Sequence, residues 1–247
     1  MPVKLDSVVR LLNRELSIRK VLDYSRNGLQ VRASSKVTRI ALAADASMDA
    51  FRQAKKRGCD LIIVHHGLFW KGQRDLTGMT KRRVAFLKKG RLSLYAAHLP
   101  LDKSIRYGHN AHILRLLGAR RRGVFCRVGY IGYLSNARGL DSVARSLNRE
   151  LGTRCEVWRF GGRKIRSLAV VSGSGGSCME SAIKRHVDLM VTGEVAYKNY
   201  YIAKEAGLNV IMAGHYKTET SGVKAIGDLL RKKMDLETIF LDLPTGI

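Results

Sequence analysis

Runs of consecutive aliphatic residues alternate along the chain with segments in which apolar residues recur every three or four positions. The run at residues 61–64 is rich in β-branched side chains and predicts a strand that is buried on both faces. It leads directly into His65, His66 and Gly67. Because open α/β sheets bind ligands at the carboxyl ends of their strands, this stretch is a candidate functional site.

Two distant helical segments are almost identical. Residues 5–16 and 140–151 differ at only two positions, and both place apolar residues on one helical face. Asp6 and Ser7 are candidate N-caps of the first helix. The strands that follow also match in pairs: 39–47 with 166–174, 60–64 with 188–192, and 94–102 with 211–219.

These paired segments predict an internal duplication, because shared helical amphipathicity alone would not repeat the same polar residues. The expected fold is α/β, with two similar and closely packed lobes that each hold a largely parallel or mixed sheet covered by helices. We place the first lobe at residues 1–122 and the second at residues 123–247. The boundary is approximate, and the C-terminal segment can return to the first lobe.

Polar side chains gather at the carboxyl ends of the paired strands. They are His65, His66, His98, Asp102, His215 and Glu219. Both final strands end in a histidine that is followed four residues later by a carboxylate. Imidazoles with carboxylates suit Zn, Fe, Mn or Ni, so we expect two divalent metal ions per chain in a site between the lobes. Two adjacent ions activate water, and this chemistry favours hydrolysis.

The balance of charge is strongly basic. The 247 residues contain 45 Lys and Arg against 20 Asp and Glu, which gives a formal net charge of +25. Such a surface favours nucleotides, phosphorylated small molecules and non-specific DNA or RNA as partners, and a basic surface without a partner is the open alternative. The basic clusters, including Arg120-Arg121-Arg122, are expected on solvated helices and loops.

The cysteines and the hydropathy indicate a compartment. Cys59, Cys126, Cys155 and Cys178 show no Cys-x-x-Cys spacing and are interpreted as buried thiols of a reducing compartment. No uncharged run approaches the roughly 20 apolar residues that span a bilayer. The chain is therefore expected in the cytoplasm, without a membrane partner.

Two further features are weaker candidates for substrate or phosphate binding. Residues 172–177 are rich in glycine and serine, so backbone N–H groups at Ser174 and Gly175 are candidates for holding a phosphate. The segment lacks the spacing of known nucleotide-binding loops, and a tight turn is the favoured interpretation. Lys198 lies among tyrosines that suit base stacking or helix packing, and Glu194 precedes it.

The order of several short motifs resembles one known family. The motifs are Asn27-Gly28-Leu29-Gln30-Val31, Val64-His65-His66-Gly67, Ala97-His98-Leu99-Pro100-Leu101-Asp102, Ser172-Gly173-Ser174-Gly175, Thr192-Gly193-Glu194 and Gly214-His215-Tyr216-Lys217-Thr218-Glu219. Across the whole chain this series resembles the dinuclear-metal-centre hexameric proteins, first named as Ngg-interacting factors and commonly called GTP cyclohydrolase I type II homologs. The resemblance implies a homo-hexameric toroid, a trimer of dimers whose metal sites face an internal cavity.

The resemblance also assigns ligands. It implies that His65 and His215 bind one metal ion. His66 and Asp102 then bind the other, and Glu219 bridges the two.

Catalytic roles follow from the same resemblance. His98 becomes an occasional ligand or an orienting neighbour, and together with Glu219 it is a candidate catalytic residue. Family members often carry a histidine shortly after Thr-Gly-Glu, whereas this chain continues with Val195-Ala196-Tyr197-Lys198. This departure weakens the expectation that the family's reaction is shared.

Three functions are compatible with these features. The first is a metal-dependent hydrolase that acts on a nucleotide or a related phosphorylated small molecule, like a GTP cyclohydrolase homolog. The second is a nucleic-acid-binding or scaffold protein with structural metals. The third is a metal carrier or insertion factor, so the sequence leaves enzymatic activity open.

Overall fold

The computed structural model describes residues 1–72 and 78–246. These residues form two units. Unit 1 comprises Met1–Leu101 and Gly222–Leu243, and unit 2 comprises Asp102–Ser221 and the residues from Pro244 on. The expected boundary at residue 122 falls inside unit 2, because the strand that contains this residue pairs within the sheet of that unit.

Both units contain strands and helices. The strands are β1 (Val3–Lys4), β2 (Gly28–Val31), β3 (Lys36–Val37), β4 (Arg39–Asp45), β5 (Leu61–His66), β6 (Ser93–Ala96), β7 (Arg120–Phe125), β8 (Gly129–Gly139), β9 (Glu156–Trp158), β10 (Lys164–Ser174), β11 (Leu189–Glu194), β12 (Asn209–Met212) and β13 (Glu237–Phe240). The helices are α1 (Leu5–Glu15), α2 (Met48–Lys56), α3 (Gly78–Lys89), α4 (Leu99–Asp102), α5 (His109–Leu116), α6 (Leu140–Leu151), α7 (Met179–Lys184), α8 (Asn199–Glu205), α9 (His215–Thr218) and α10 (Ser221–Met234). Among the described residues, no helix combines the length and apolar composition needed to cross a membrane.

Unit 1 is built on a five-stranded sheet in the order β13-β4-β5-β6-β2. The first four strands run parallel, and β2 pairs antiparallel with β6. The aliphatic run of β5, residues 61–64, is fully buried, as its pattern predicted. Helix α2 packs Phe51 and Ala54 into the same core as Ile62. The sheet therefore carries the two histidines of β5 to its carboxyl edge.

Unit 2 is built on a six-stranded sheet in the order β7-β8-β10-β11-β12-β9. β10, β11 and β12 are parallel, whereas β7, β8 and β9 pair antiparallel with their neighbours. Alternate residues of β10 join two separate cores, because neighbouring side chains on a strand point to opposite faces. Leu168 packs with Leu114 of α5 and Leu147 of α6, and Ala169 packs with Met179 of α7. Helices therefore cover both faces of the parallel strands.

The mixed α/β fold predicted from the sequence is confirmed. The paired segments form the three central parallel strands of each sheet, which are β4, β5 and β6 in unit 1 and β10, β11 and β12 in unit 2. The duplication itself stays a prediction from the sequence.

Two local predictions are wrong. Helix α1 begins at Leu5, so Lys4 is its N-cap residue and no side chain caps the helix. Asp6 lies within the first helical turn instead, where its negative charge favours the positive end of the helix dipole. The basic run that starts at Arg120 lies in edge strand β7 rather than in a helix or loop, because it pairs with β8.

The interpretation of all four cysteines as free thiols is also wrong. Cys126 and Cys178 form a disulfide across 52 residues of sequence, with Cα atoms 5.7 Å apart, within the range that disulfide geometry allows. Cys126 lies in the turn between β7 and β8, and Cys178 ends a 3-10 turn before α7. Cys59 and Cys155 are free thiols.

Candidate metal centre

His65 is the innermost of the candidate ligands and is completely buried in β5. Its Nδ1 lies 2.9 Å from the carbonyl oxygen of Ala97. A carbonyl oxygen only accepts hydrogen bonds, so Nδ1 carries the proton and Nε2 keeps its lone pair. The ring is therefore fixed in the tautomer that can coordinate a cation through Nε2.

His66 is held by the neighbouring strand. Asp45 ends β4 directly opposite His66 in the parallel register, and its Oδ1 lies 2.9 Å from His66 Nδ1. The carboxylate accepts the Nδ1 proton and leaves Nε2 as the ligand atom. This pair follows from strand register alone, since both residues close parallel strands.

His98 follows β6 and is oriented by a buried acid. Asp23 is 7% exposed and lies 3.0 Å from His98 Nδ1 through Oδ1. Burial alone would raise the pKa of Asp23, but hydrogen bonds from its neighbours outweigh burial and hold that pKa well below its usual value. Asn27 donates to Asp23 Oδ2 over 2.8 Å and accepts the His98 backbone N–H over 2.7 Å. Asp23 is therefore a carboxylate that fixes the ring of His98.

The three histidines of unit 1 form one cluster. The ligand atoms of His65, His66 and His98 all lie within 4.8 Å of one another. Trp70 packs its ring against His98, edge-on, with centroids 5.1 Å apart. Three convergent imidazoles beside an aromatic ring form a site that suits a divalent cation.

Unit 2 carries two further donors, His215 and Glu219, at the two ends of α9. His215 begins α9, and its Nδ1 lies 2.9 Å from Glu194 Oε1. His215 Nε2 lies 3.0 Å from Oε2 of Glu219, and the side chain of Glu219 is 5% exposed. Two donor atoms that each lie about 2.0–2.2 Å from one ion are separated by a distance similar to that between His215 Nε2 and Glu219 Oε2.

Glycines make room for this second pair. A Cβ at Gly173 would lie 2.2 Å from Glu219 Oε1 and 3.1 Å from His215 Nε2. A Cβ at Gly193 would lie 2.7 Å from the Cα of His215. Side chains at either position would displace the two donors, so the glycines of these motifs have a steric role.

Asp102 is anchored within unit 2 by the turn that carries Gly173. The Oγ of Ser172 donates to Asp102 Oδ1 over 3.1 Å. Asn110 donates to the Asp102 carbonyl over 3.3 Å and accepts the Ser172 backbone N–H over 2.6 Å. Asp102 is 4% exposed, so its carboxylate is held in a fixed, nearly dry position.

The glycine-serine segment uses its backbone N–H groups internally. Gly173 donates to Thr218 Oγ1 and Gly175 to Thr192 Oγ1, both over 3.0 Å. These bonds describe a tight turn, and Ser174 at its start is exposed. Lys198 is also exposed and is the N-cap residue of α8.

The tyrosines around Lys198 have different surroundings. Tyr200 packs edge-on against Trp158 and Phe160, with centroids 5.1 and 5.2 Å apart. Tyr197 is 86% exposed. Helix packing therefore explains Tyr200 but not Tyr197.

The donor set fits divalent metal ions. Each of the four imidazoles has Nδ1 against an oxygen acceptor, which is how most metal-binding histidines are oriented. Carboxylates complete the set in unit 2. Nitrogen and oxygen donors of this kind are typical of Zn, Fe, Mn and Ni rather than of Ca or Cu(I).

Sequence reasoning missed the residues that orient the ligands. Asp45 could have been found by aligning the ends of adjacent parallel strands, since it faces His66 in register. Asp23 lies in an irregular segment 75 positions from His98, and no periodic pattern marks it. Glu194 was predicted as a substrate residue, and the structure brings it to His215.

Comparison with known proteins identifies relatives over the full length. A family model described as Duf34/NIF3 (NGG1p interacting factor 3) matches residues 3–246. A relative from Archaeoglobus fulgidus, named GTP cyclohydrolase 1 type 2 homolog, is 41% identical over 99% of this chain and 100% of its own. A protein of the same name from Escherichia coli is 35% identical over 95% of this chain and 96% of its own.

Solved structures share the fold. TTHA1606 from Thermus thermophilus superimposes with a TM-score of 0.93 at 38% identity, over 99% of this chain and 100% of that chain. The protein ybgI, described as of unknown function, superimposes with a TM-score of 0.94 at 32% identity over the same shares. The resemblance predicted from the sequence motifs is thereby confirmed. The chain belongs to the Duf34/NIF3 family.

Proposed function

We propose that the chain is a metal-dependent hydrolase that acts, with two divalent metal ions, on a nucleotide or a related phosphorylated small molecule. The observation that carries this proposal is the orientation of four histidines, which all place Nδ1 against an oxygen acceptor, as metal-binding histidines usually do. Structural zinc sites are built mainly from cysteines, whereas imidazoles combined with carboxylates are typical of catalytic ions.

The proposed ligands are the residues that the family resemblance assigns. His65, His66, Asp102 and His215 would hold the two ions, and Glu219 would be shared by both. Two bound ions would supply an activated water and would stabilise negative charge on the group attacked. Support comes from the donor chemistry within each unit, where every proposed ligand has a hydrogen-bonding or ionic partner that fixes it.

His98 is proposed to move a proton. The carboxylate of Asp23 accepts the Nδ1 proton of His98, so Nε2 presents a lone pair that can take a proton from the attacking water. A histidine that is oriented by a buried aspartate acts as a general base in this way. Glu219 is proposed as the second catalytic residue, because its nearly buried carboxylate accepts a hydrogen bond from water more strongly than an exposed one.

The net charge of the chain and the names of its relatives support the proposed substrate class. The net charge of +25 attracts anions. Several relatives carry the name GTP cyclohydrolase 1 type 2 homolog. A purine nucleoside triphosphate is therefore the first substrate to test, followed by other nucleotides and phosphorylated small molecules.

The test is a turnover screen with protein loaded in turn with Zn, Fe, Mn and Ni. Products from a nucleotide panel are separated by chromatography. Glu219→Ala and His98→Ala should each lower the rate by at least about a hundredfold, the usual contribution of a positioned acid or base. His186→Asn is the matched control, because His186 is exposed and adopts a φ of 48°, which asparagine tolerates.

Two outcomes would contradict the proposal. Turnover that survives complete removal of metal by a chelator would exclude metal-dependent hydrolysis. Absence of turnover for the whole panel, with both metals bound, would favour the metal-carrier function instead.

A further inference from the structure

Residues 103–140 carry charge of one sign. They contain eight Lys and Arg and no Asp or Glu. Within this stretch β7 and β8 form a hairpin, and β7 is an edge strand of the unit 2 sheet. Soluble surfaces usually intersperse both signs, so an exposed hairpin without any acid is suited to a polyanion.

The hairpin presents an aromatic ring among its arginines. Arg120 of β7 lies opposite Tyr133 of β8, and Tyr133 lies opposite Ser167 of β10. Residues that are directly opposite on neighbouring strands share a face of the sheet. Tyr133 is 42% exposed, although a tyrosine inside a sheet normally buries its ring against a helix or second sheet.

A concave surface surrounds this tyrosine, and we call it the ribbon groove. Its lining residues are Arg120, Arg122, Tyr133, Leu134, Ser135 and Arg166. The lining contains three guanidinium groups and no carboxylate. It therefore combines a cationic wall with one exposed aromatic face.

The arginines of the ribbon groove keep their charge available. Among the ion pairs of the described residues, none involves Arg120, Arg122 or Arg166. Asp188 lies beside the last of these, and its carboxylate accepts the backbone N–H groups of Arg166 and Ser167 over 2.9 and 2.7 Å. The carboxylate of Asp188 therefore binds the backbone near the start of β10.

We infer that the ribbon groove binds single-stranded nucleic acid. Arginines contact the phosphates, and an exposed ring on a sheet surface stacks against an unpaired base, which is the combination that single-strand binding surfaces use. A duplex would engage only the arginines, because its bases are stacked and paired inside the helix. The inference concerns a surface separate in sequence from every proposed metal ligand, and it extends beyond hydrolysis.

Fluorescence anisotropy with a labelled oligothymidylate of about 16 nucleotides tests the inference. Tyr133→Ala should weaken binding about five- to hundredfold, the range found for one lost stacking contact, and Tyr133→Phe should retain the wild-type affinity. The triple variant Arg120→Ala, Arg122→Ala and Arg166→Ala should also lower the slope of log Kd against log salt by about 2, since each phosphate contact on a single strand contributes about 0.7.

A matched control removes the same charge elsewhere. Lys56, Lys232 and Lys233 are exposed residues of unit 1, and their triple alanine variant should change affinity less than about threefold.

Four results would overturn the inference. Two concern variants of the surface: an equal loss of affinity in the lysine triple variant, and wild-type affinity in Tyr133→Ala. The third is a duplex of the same length that binds as tightly as the single strand. The fourth is a loss of binding in Glu219→Ala. The first three would show that net charge alone explains binding. The last would place the nucleic acid at the metal ligands.

Discussion

Gly173 illustrates how single residues without functional groups shape the candidate centre. Its φ of +62° disfavours any side chain, and a Cβ there would lie 2.2 Å from Glu219 Oε1. Gly173→Ala should therefore lose most of the bound metal and destabilise the fold by about 1–2 kcal/mol. Elemental analysis and chemical denaturation measure the two effects. Gly162→Ala is the control, because nothing lies within 4 Å of a Cβ at Gly162, and full metal content in Gly173→Ala would contradict the steric role.

The free thiols offer a pH-dependent prediction. Burial raises the pKa of Cys59 and of Cys155 to about 11. Because the thiolate is the reactive form, alkylation of the native protein should be slow at pH 8 and should accelerate up to about pH 11. In the unfolded chain both thiols ionise near their ordinary pKa, so stability should decline as pH rises from about 9 to 11. Mass spectrometry of timed alkylation at several pH values measures the rates, and rapid labelling at pH 8 would contradict the burial of these thiols.

The position of a residue could be predicted from the sequence where a hydrophobic pattern marked the element that carries it. His65 and His66 follow a buried aliphatic run, and this run fixed their place at the carboxyl edge of a sheet. Asp23 could not be found in this way, because it acts through a contact with His98 that spans 75 positions. Long-range contacts of irregular segments leave no periodic signature in a sequence.

At the scale of elements, the disulfide joins the β7–β8 turn to the turn that precedes α7. Cys126 and Cys178 close a loop of 52 residues, and the loss of chain entropy in the unfolded state would stabilise the fold by up to about 4 kcal/mol. Cys126→Ser should therefore lower the free energy of unfolding by up to this amount. Urea denaturation with and without a dithiol reductant tests it. Reductant should destabilise the wild type and leave the variant unchanged, and equal curves for the wild type would contradict the bond.

Elements were predictable where local periodicity and pairing agreed. The strands at residues 61–66 and 189–194 follow from their apolar runs. The edge strand at residues 120–125 was not predictable, because a run of arginines has no hydrophobic alternation. Pairing with β8 determines that strand, and cross-strand pairing overrides local propensity.

At the scale of the whole molecule, the family resemblance predicts a homo-hexamer. Light scattering coupled to size exclusion should give about six times the 27.6 kDa mass of one chain. Each chain carries +25, so the assembly should tighten as salt rises and screens repulsion between subunits. A monomer at micromolar concentration and moderate salt would contradict the predicted assembly.

Metal stoichiometry tests the central claim most directly. Elemental analysis of protein purified without a chelator should find about two equivalents of divalent transition metal per chain. Glu219→Ala should retain well under one equivalent, because without the proposed shared carboxylate the repulsion between two cations would no longer be offset. Wild-type protein without bound metal, or a Glu219→Ala variant with its full complement, would contradict the dinuclear centre.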